Sequence, residues 1–176
     1  MISLYDDQIE LIEGVRVELR AGRKAVLAVA STGFGKTVSS AFMAKEAAAR
    51  GRRVWFICHL RNLLNQTSQA FWQMGVEHGM IAAGKPMGNQ RVQVGTIGTI
   101  ARRLDRLKAP DLLIVDEAHL AMANSWVKII DWAKESGAIV VGNSATPERL
   151  DGKGLGYLFD SMVEAPQCVG LSIRAG

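Results

Sequence analysis

The 176-residue sequence has few of the residues that mark secreted, membrane-spanning or metal-stapled proteins. Its two cysteines, Cys58 and Cys168, have the spacing of neither a disulfide framework nor a metal site, which is typical of a reducing compartment. The longest apolar runs, such as residues 25–30, are far shorter than the roughly 20 residues that a membrane helix needs. Acidic residues near the start argue against a positively charged signal peptide. These absences predict a cytoplasmic protein without membrane contact.

The remaining composition is that of an ordinary globular domain. Hydrophobic residues make up 48% of the sequence and charged residues 22%, which argues against intrinsic disorder. The length suits one domain that is large enough to fold without disulfides or metal ions. A net charge of +4 permits an anionic partner but does not establish one.

Short apolar runs alternate with segments of helical periodicity along most of the sequence. The predicted strands cover residues 25–29, 54–57, 92–94, 112–115 and 139–141. The predicted helices cover residues 6–19, 38–50, 63–74, 97–107 and 126–135. This alternation predicts an α/β fold in three layers, with a mostly parallel central sheet flanked by helices. Residues 84–90 are expected to form an exposed loop, and no further strand–helix cycle is expected after Pro147.

A glycine-rich segment with the sequence ASTGFGKT, residues 30–37, lies between the first predicted strand and the following helix. This is the context of a phosphate-binding loop, because Gly33 and Gly35 let backbone N–H groups approach phosphates. Lys36 is predicted to reach the β- and γ-phosphates, and the Thr37 hydroxyl is predicted to ligate Mg²⁺. The alternative is a glycine turn with a solvated lysine, but the flanking strand and helix favour the phosphate loop.

A second motif, Asp116-Glu117-Ala118-His119, directly follows the predicted strand of residues 112–115. Its position suits an aspartate that associates with Mg²⁺ and a glutamate that orients or deprotonates the attacking water. An acidic pair alone is more typical of a solvated turn, and a single histidine is more typical of a structural role. The upstream phosphate loop favours the catalytic interpretation of the acidic pair.

Polar residues follow the carboxyl ends of five predicted strands. They lie in segments 32–37, 59–61, 96–99, 116–119 and 144–146. Ligands of open parallel sheets bind along this edge. The sequence therefore predicts that the loops after these strands surround one cleft.

With these motifs in this order, the sequence resembles the first, N-terminal RecA-like motor domain of superfamily 2 helicases and translocases. The resemblance is to the DEAH-type branch, which includes bacterial repair helicases and the motor subunits of restriction enzymes, and it runs from about Leu4 to Asp160. Residues 30–37 match the family pattern A-x-T-G-x-G-K-T, and residues 116–119 match its second motif. Residues 144–146 match the third motif, which couples hydrolysis to nucleic-acid movement in the family. The match extends to Pro147, Arg149, Leu150, Asp151 and Gly152.

The resemblance implies a role for each motif residue. The implied catalytic residues are Lys36, Asp116, Glu117 and His119. The implied nucleotide-binding residues are Gln8, which reads adenine in the family, together with Thr32, Gly33, Phe34, Gly35, Lys36 and Thr37. The implied Mg²⁺ ligands are Thr37 and Asp116. The implied nucleic-acid and coupling residues are His59, Arg61, Thr96, Thr99, Ser144, Ala145 and Thr146.

The sequence departs from the family pattern in four places. Asp7 precedes Gln8 where an aromatic residue is usual. Residues 59–63 (HLRNL) lack the arginine and the glutamate of the usual H-R-x-E-L, and Arg61 stands one position after the lost arginine. Gly98 occupies a position where glutamine is common, and Asn143 replaces an apolar residue before the third motif. All four lie outside the predicted phosphate and metal residues.

The resemblance implies an ATP-dependent helicase or translocase that binds ATP, Mg²⁺ and the nucleic-acid backbone, with DNA favoured over RNA. Residues 1–176 are expected to form a single helicase ATP-binding domain. The second RecA-like domain, absent from this chain, is expected to be supplied in cis or in trans with its arginine fingers. Weak or no hydrolysis is therefore expected of the isolated chain. Two alternatives remain: a stand-alone, non-catalytic nucleotide-binding module that regulates a partner motor, and a phosphate-loop ATPase that acts on something other than nucleic acid.

Overall fold

A computed structural model of the protein describes residues 3–86, 88–120, 124–147 and 155–166. Cys168 and the family extension at residues 149–152 lie outside the described residues. The helices are α1 (Asp6–Arg20), α2 (Lys36–Ala49), α3 (Arg61–Gln73), α4 (Ile97–Arg103) and α5 (Asn124–Glu135). The strands are β1 (Ala25–Val29), β2 (Val54–Cys58), β3 (His78–Ile81), β4 (Val92–Thr96), β5 (Leu112–Val115), β6 (Ile139–Ser144) and β7 (Ser161–Glu164). Two 3₁₀ turns cover Leu104–Arg106 and Ala118–Leu120.

The strands form one sheet in the order β3-β4-β2-β5-β6-β1-β7. Every strand pair in the described part of the chain is parallel, which confirms the predicted parallel sheet. Strands β3 and β7 were not predicted from the sequence. Both are four-residue edge strands, and neither has the continuous apolar run that marks a central strand.

Helices cover both faces of the sheet, as the three-layer prediction required. Alternating side chains of β2 show the two faces: Phe56 packs in a cluster with residues of α2 and α3, whereas Trp55 and Ile57 pack with residues of α4 and α5. A third cluster joins α1 to β1 and β6. Because all five β2 side chains are buried, the sheet interior forms the core of the domain.

The strand order places the predicted functional loops side by side. Strands β4, β2, β5, β6 and β1 occupy consecutive positions in the sheet and run in the same direction. The polar segments that follow them therefore lie along one edge, as the sequence predicted. In the described parts of the chain, no helix is long and apolar enough to cross a membrane.

Candidate nucleotide site

The glycine-rich segment connects the carboxyl end of β1 to the first residue of α2. Gly33 and Gly35 have φ values of +85° and +89°, a left-handed conformation that residues with a Cβ rarely adopt. The backbone N–H of Ala30 donates to the Ser144 carbonyl (3.0 Å), which fixes the start of the loop against β6. Because α2 begins directly after Gly35, its first N–H groups and its positive dipole end face this edge of the sheet. The loop therefore has the local structure of an anion-binding site.

Lys36 is the first residue of α2, and its side chain folds back over the loop. Its Nζ donates to the carbonyl oxygens of Ala30 (2.9 Å) and Ser31 (3.2 Å). These contacts hold the ammonium group beside the loop backbone, where an anion bound by the loop would meet it. Thr37 follows in the first turn of the helix and is half-buried.

Gln8 joins the beginning of α1 to the same loop. Its side chain is buried, and its Nε2 donates to the Phe34 carbonyl at 2.8 Å. Its Oε1 accepts a hydrogen bond from the backbone N–H of Tyr5 at 3.1 Å. A Cβ at Gly35 would displace the Gln8 amide, and the φ of +89° independently favours glycine there. Sequence reasoning placed Gln8 at the site but missed its contact with the loop, since no local pattern relates residues 26 positions apart.

The acidic motif begins where β5 ends. The N–H of Asp116 donates to the Ile57 carbonyl (2.9 Å), which places the side chain at the end of the strand. Burial and then the adjacent Glu117 carboxylate raise the pKa of Asp116 to about 6, and the positive charge of Lys36 acts in the opposite direction. Glu117 has φ +49°, the one non-glycine residue with positive φ in the described part of the chain. Strained backbone of this kind is concentrated at functional sites.

Ser144 joins the acidic motif to the segment after β6. Its Oγ lies 3.1 Å from His119 Nδ1, donates to the Thr146 carbonyl (2.5 Å) and accepts from the Thr146 N–H (3.2 Å). Nδ1 of His119 also lies 3.2 Å from a Glu117 carboxylate oxygen. Since the Ser144 hydroxyl proton is used by Thr146, His119 is assigned a proton on Nδ1, directed toward Ser144 and Glu117. The second and third motifs are thus in direct contact.

The two remaining loops lie farther along the edge, after β2 and β4. Thr96 Oγ1 donates to Thr99 Oγ1 at 3.0 Å, and Thr99 is buried while Thr96 is half-buried. Arg61 begins α3 and donates to the Ala83 carbonyl at 3.0 Å, and His59 is exposed. Thr99 is therefore the buried partner of Thr96, and the exposed polar side chains of segments 59–61 and 96–99 are His59 and Arg61.

The other predicted site residues differ in exposure. Thr32, Gly33 and Thr146 are exposed, Phe34, Gly35 and Ala145 are half-buried, and Ser144 is buried. Among the described residues, no group of three histidine, cysteine, aspartate or glutamate side chains could hold a metal ion. A metal ion at this edge would therefore take few protein ligands.

Comparison with known proteins agrees with this arrangement. A family model described as type III restriction enzyme, res subunit, matches residues 1–149. A 51.5 kDa protein of a Lactococcus phage (isolate 7-9) is 32% identical over 132 residues, which are 75% of this chain and 26% of that protein. The putative ATP-dependent helicase IRC3 of Saccharomyces cerevisiae is 30% identical over 181 residues, covering 91% of this chain and 26% of the yeast protein. The chain thus spans about a quarter of the length of both relatives.

Solved structures show the same fold. The UvsW helicase of bacteriophage T4 superposes with a TM-score of 0.76 at 18% identity, over 93% of this chain and 60% of the UvsW chain. The SWI2/SNF2 ATPase core of Sulfolobus solfataricus, solved in complex with dsDNA, superposes with a TM-score of 0.66 at 18% identity, over 83% of this chain and 32% of that chain. The domain described above therefore has the RecA-like fold of these enzymes.

Proposed function

We propose that this chain, which belongs to the family of the type III restriction enzyme res subunit, binds ATP and Mg²⁺ and works in a motor that moves along DNA. It has the fold of the N-terminal RecA-like domain of superfamily 2 helicases. The observation that carries the proposal is the joining of three motifs at adjacent strand ends. The phosphate loop is paired with β6 through Ala30, and the acidic motif contacts the same strand end through His119 and Ser144.

The phosphate loop supplies the groups that bind a nucleoside triphosphate. The N–H groups of the loop and of the first turn of α2 would surround the β-phosphate, and Lys36 would leave the loop carbonyls for the phosphate oxygens. Gln8 lies at the entrance to this loop, where the family places adenine, so the proposed nucleotide is ATP. Support comes from the contact of its amide with Phe34.

Thr37 and Asp116 are the proposed protein ligands of Mg²⁺. Mg²⁺ usually keeps several waters and takes only one or two carboxylates together with substrate phosphates, so this small donor set fits it. When bound, the ion would neutralise charge on the β- and γ-phosphates. A bound cation would also stabilise the ionised form of Asp116, whose pKa burial and Glu117 raise to about 6.

Glu117 is the proposed residue that orients and deprotonates the attacking water. Its carboxylate lies 3.2 Å from His119 Nδ1, and His119 in turn contacts Ser144. A shift of the segment after β6 would therefore alter the position of the glutamate through one histidine. This connection supports a coupling role for residues 144–146.

DNA is the proposed track, held by its phosphate backbone at the loops after β2 and β4. Arg61, His59 and Thr96 offer the charged and polar groups that suit phosphate contacts. The structural likeness to an ATPase core solved with dsDNA supports DNA over RNA. We extend the proposal to a second RecA-like domain, in cis or in trans, that closes the cleft and supplies arginine fingers; the greater length of the curated relatives supports this part.

The test is ATP hydrolysis with and without DNA, for the protein and for the Lys36→Ala and Glu117→Gln variants. DNA is expected to increase hydrolysis by the protein once the second domain is present. In each variant the hydrolysis rate with DNA is expected to be lower than that of the wild type by at least about 10²-fold, the usual contribution of a positioned acid–base group or phosphate ligand. Lys85→Ala, in an exposed loop, is the matched control. The proposal is refuted if the Lys36→Ala variant hydrolyses ATP with DNA as fast as the wild type does. It is also refuted if nucleic acid changes neither the hydrolysis rate nor the affinity for ATP.

A further inference from the structure

Asn143 carries a polar side chain in the interior of the domain, between the sheet and α2. It is 2% exposed, and its Nδ2 donates to the hydroxyl of Ser40 at 2.7 Å. Ser40 is fully buried and donates its own proton to the Lys36 carbonyl at 2.8 Å. Two hydrogen bonds therefore connect strand β6 to the first residue of the phosphate-loop helix.

An apolar residue would fill this position without any need for a partner. Burying a carboxamide is unfavourable unless its hydrogen bonds are made, so the Asn143–Ser40 pair does more than fill space in the core. The hydrogen bond between Asn143 and Ser40 constrains the distance and angle between strand and helix more narrowly than an apolar contact would. Relative to the usual apolar residue, Asn143 restricts how α2 sits on β6.

The neighbouring residue Ser144 makes the contact with the acidic motif described above. Successive side chains of a strand point to opposite faces of the sheet, so Asn143 reaches α2 while Ser144 reaches His119. Strand β6 lies between β1, which leads into the phosphate loop, and β5, which leads into the acidic motif. The last two residues of β6 thus contact the helix that follows the phosphate loop and the acidic motif.

We propose that Asn143 is a positioning residue that acts through Ser40 on the phosphate loop. By holding the first turn of α2 at a fixed position relative to β6, it links Lys36 to the segment of residues 144–146. A displacement of that segment on DNA binding then changes the affinity of the loop for the phosphates of ATP. This inference rests on the proposed function, because it needs both ligands.

The test is the affinity for Mg²⁺·ATP, measured with and without DNA in the Asn143→Leu, Ser40→Ala and double variants. Each single variant is expected to bind Mg²⁺·ATP about 3- to 10-fold more weakly, as expected for one hydrogen bond. The double variant is expected to lose no more than either single variant, since both changes break one connection. The effect of DNA on ATP affinity is expected to shrink in all three. Ser39→Ala is the matched control, because Ser39 is buried on the same helix and its hydroxyl has no hydrogen-bond partner among the described residues.

Thermal unfolding without nucleotide separates positioning from simple stabilisation. A purely structural role would lower the unfolding temperature and leave affinity and DNA response unchanged in the folded protein. The inference is overturned if the Asn143→Leu and Ser40→Ala variants bind ATP and respond to DNA as the wild type does. It is also overturned if the loss of ATP affinity in the double variant equals the product of the two single-variant losses. If the wild type itself binds no ATP, or binds it equally after Lys36→Ala, the proposed function fails instead, and this inference fails with it.

Discussion

Replacing Asp116 by asparagine is expected to stabilise the nucleotide-free protein at neutral pH. Burial and the adjacent Glu117 raise the pKa of this carboxyl from 3.8 to about 6. Ionised Asp116 therefore lowers the free energy of unfolding at neutral pH. Asparagine has nearly the same shape and carries no charge. The change removes a proposed metal ligand and, at the same time, an unfavourable charge.

The magnitude follows from the difference in pKa between the folded and unfolded states. A shift from 3.8 to about 6 corresponds to about 3 kcal/mol of folding free energy. Because the pKa is higher in the folded state, the wild type has this contribution to stability below pH 3.8, where Asp116 is protonated, and loses it as the pH rises through about 6. The free energy of unfolding of the Asp116→Asn variant is therefore expected to exceed that of the wild type by about 3 kcal/mol at pH 8 and by roughly half as much at pH 5.

Urea unfolding at both pH values, without Mg²⁺ or nucleotide, measures this difference. Asp105→Asn is the matched control, because its carboxylate is exposed and the change is expected to alter stability by no more than about 0.5 kcal/mol. Mg²⁺ with ATP is expected to stabilise the wild type more than the Asp116→Asn variant. A variant that is no more stable than the wild type at pH 8, or a gain in stability that is equal at both pH values, would show that ionised Asp116 does not destabilise the folded state.

Two further substitutions test other contacts. Gly35→Ala is expected to weaken ATP binding measured by calorimetry, because a Cβ at a φ of +89° strains the loop backbone and displaces the Gln8 amide; unchanged affinity would contradict the loop geometry. Asp160→Ala is expected to lower the free energy of unfolding by about 1–2 kcal/mol at pH 7, since its Oδ2 accepts from the N–H groups of Lys24 (2.8 Å) and Ala25 (2.9 Å). These bonds lower the pKa of Asp160, so the difference in urea unfolding is expected to vanish as the pH falls through that lowered value; a constant difference would contradict this origin.

The sequence predicted those parts of the fold that depend on local patterns. Central strands such as β1 and β5 are continuous apolar runs, and their alternation with helices was enough to indicate a parallel sheet with functional loops at one edge. Edge strands β3 (HGMI) and β7 (SMVE) have polar residues or glycine within four residues, so neither is a continuous apolar run that local pattern distinguishes from a loop.

Contacts between distant segments were beyond the reach of local patterns. The sequence shows Asn143 as a polar residue where the family pattern has an apolar one, but its partner Ser40 lies 103 positions earlier in the chain. The buried position of Thr99 was likewise not apparent, because its motif is equally consistent with an exposed hydroxyl. Such features depend on how helices pack on the sheet, which the order of residues along one element does not specify.

Calorimetry of Mg²⁺·ATP binding to this chain tests most directly whether it is a DNA-dependent ATP-binding domain. The measurement is made with and without single-stranded and duplex DNA over a series of salt concentrations. We expect binding that Lys36→Ala abolishes, together with a DNA effect on ATP affinity that weakens as salt increases, since phosphate contacts release counterions. The Lys85→Ala control is expected to bind as the wild type does. Equal ATP binding in the wild type and Lys36→Ala would show that residues 30–37 are not a phosphate loop, and an ATP affinity that DNA does not change at any salt concentration would rule out a DNA-dependent motor domain.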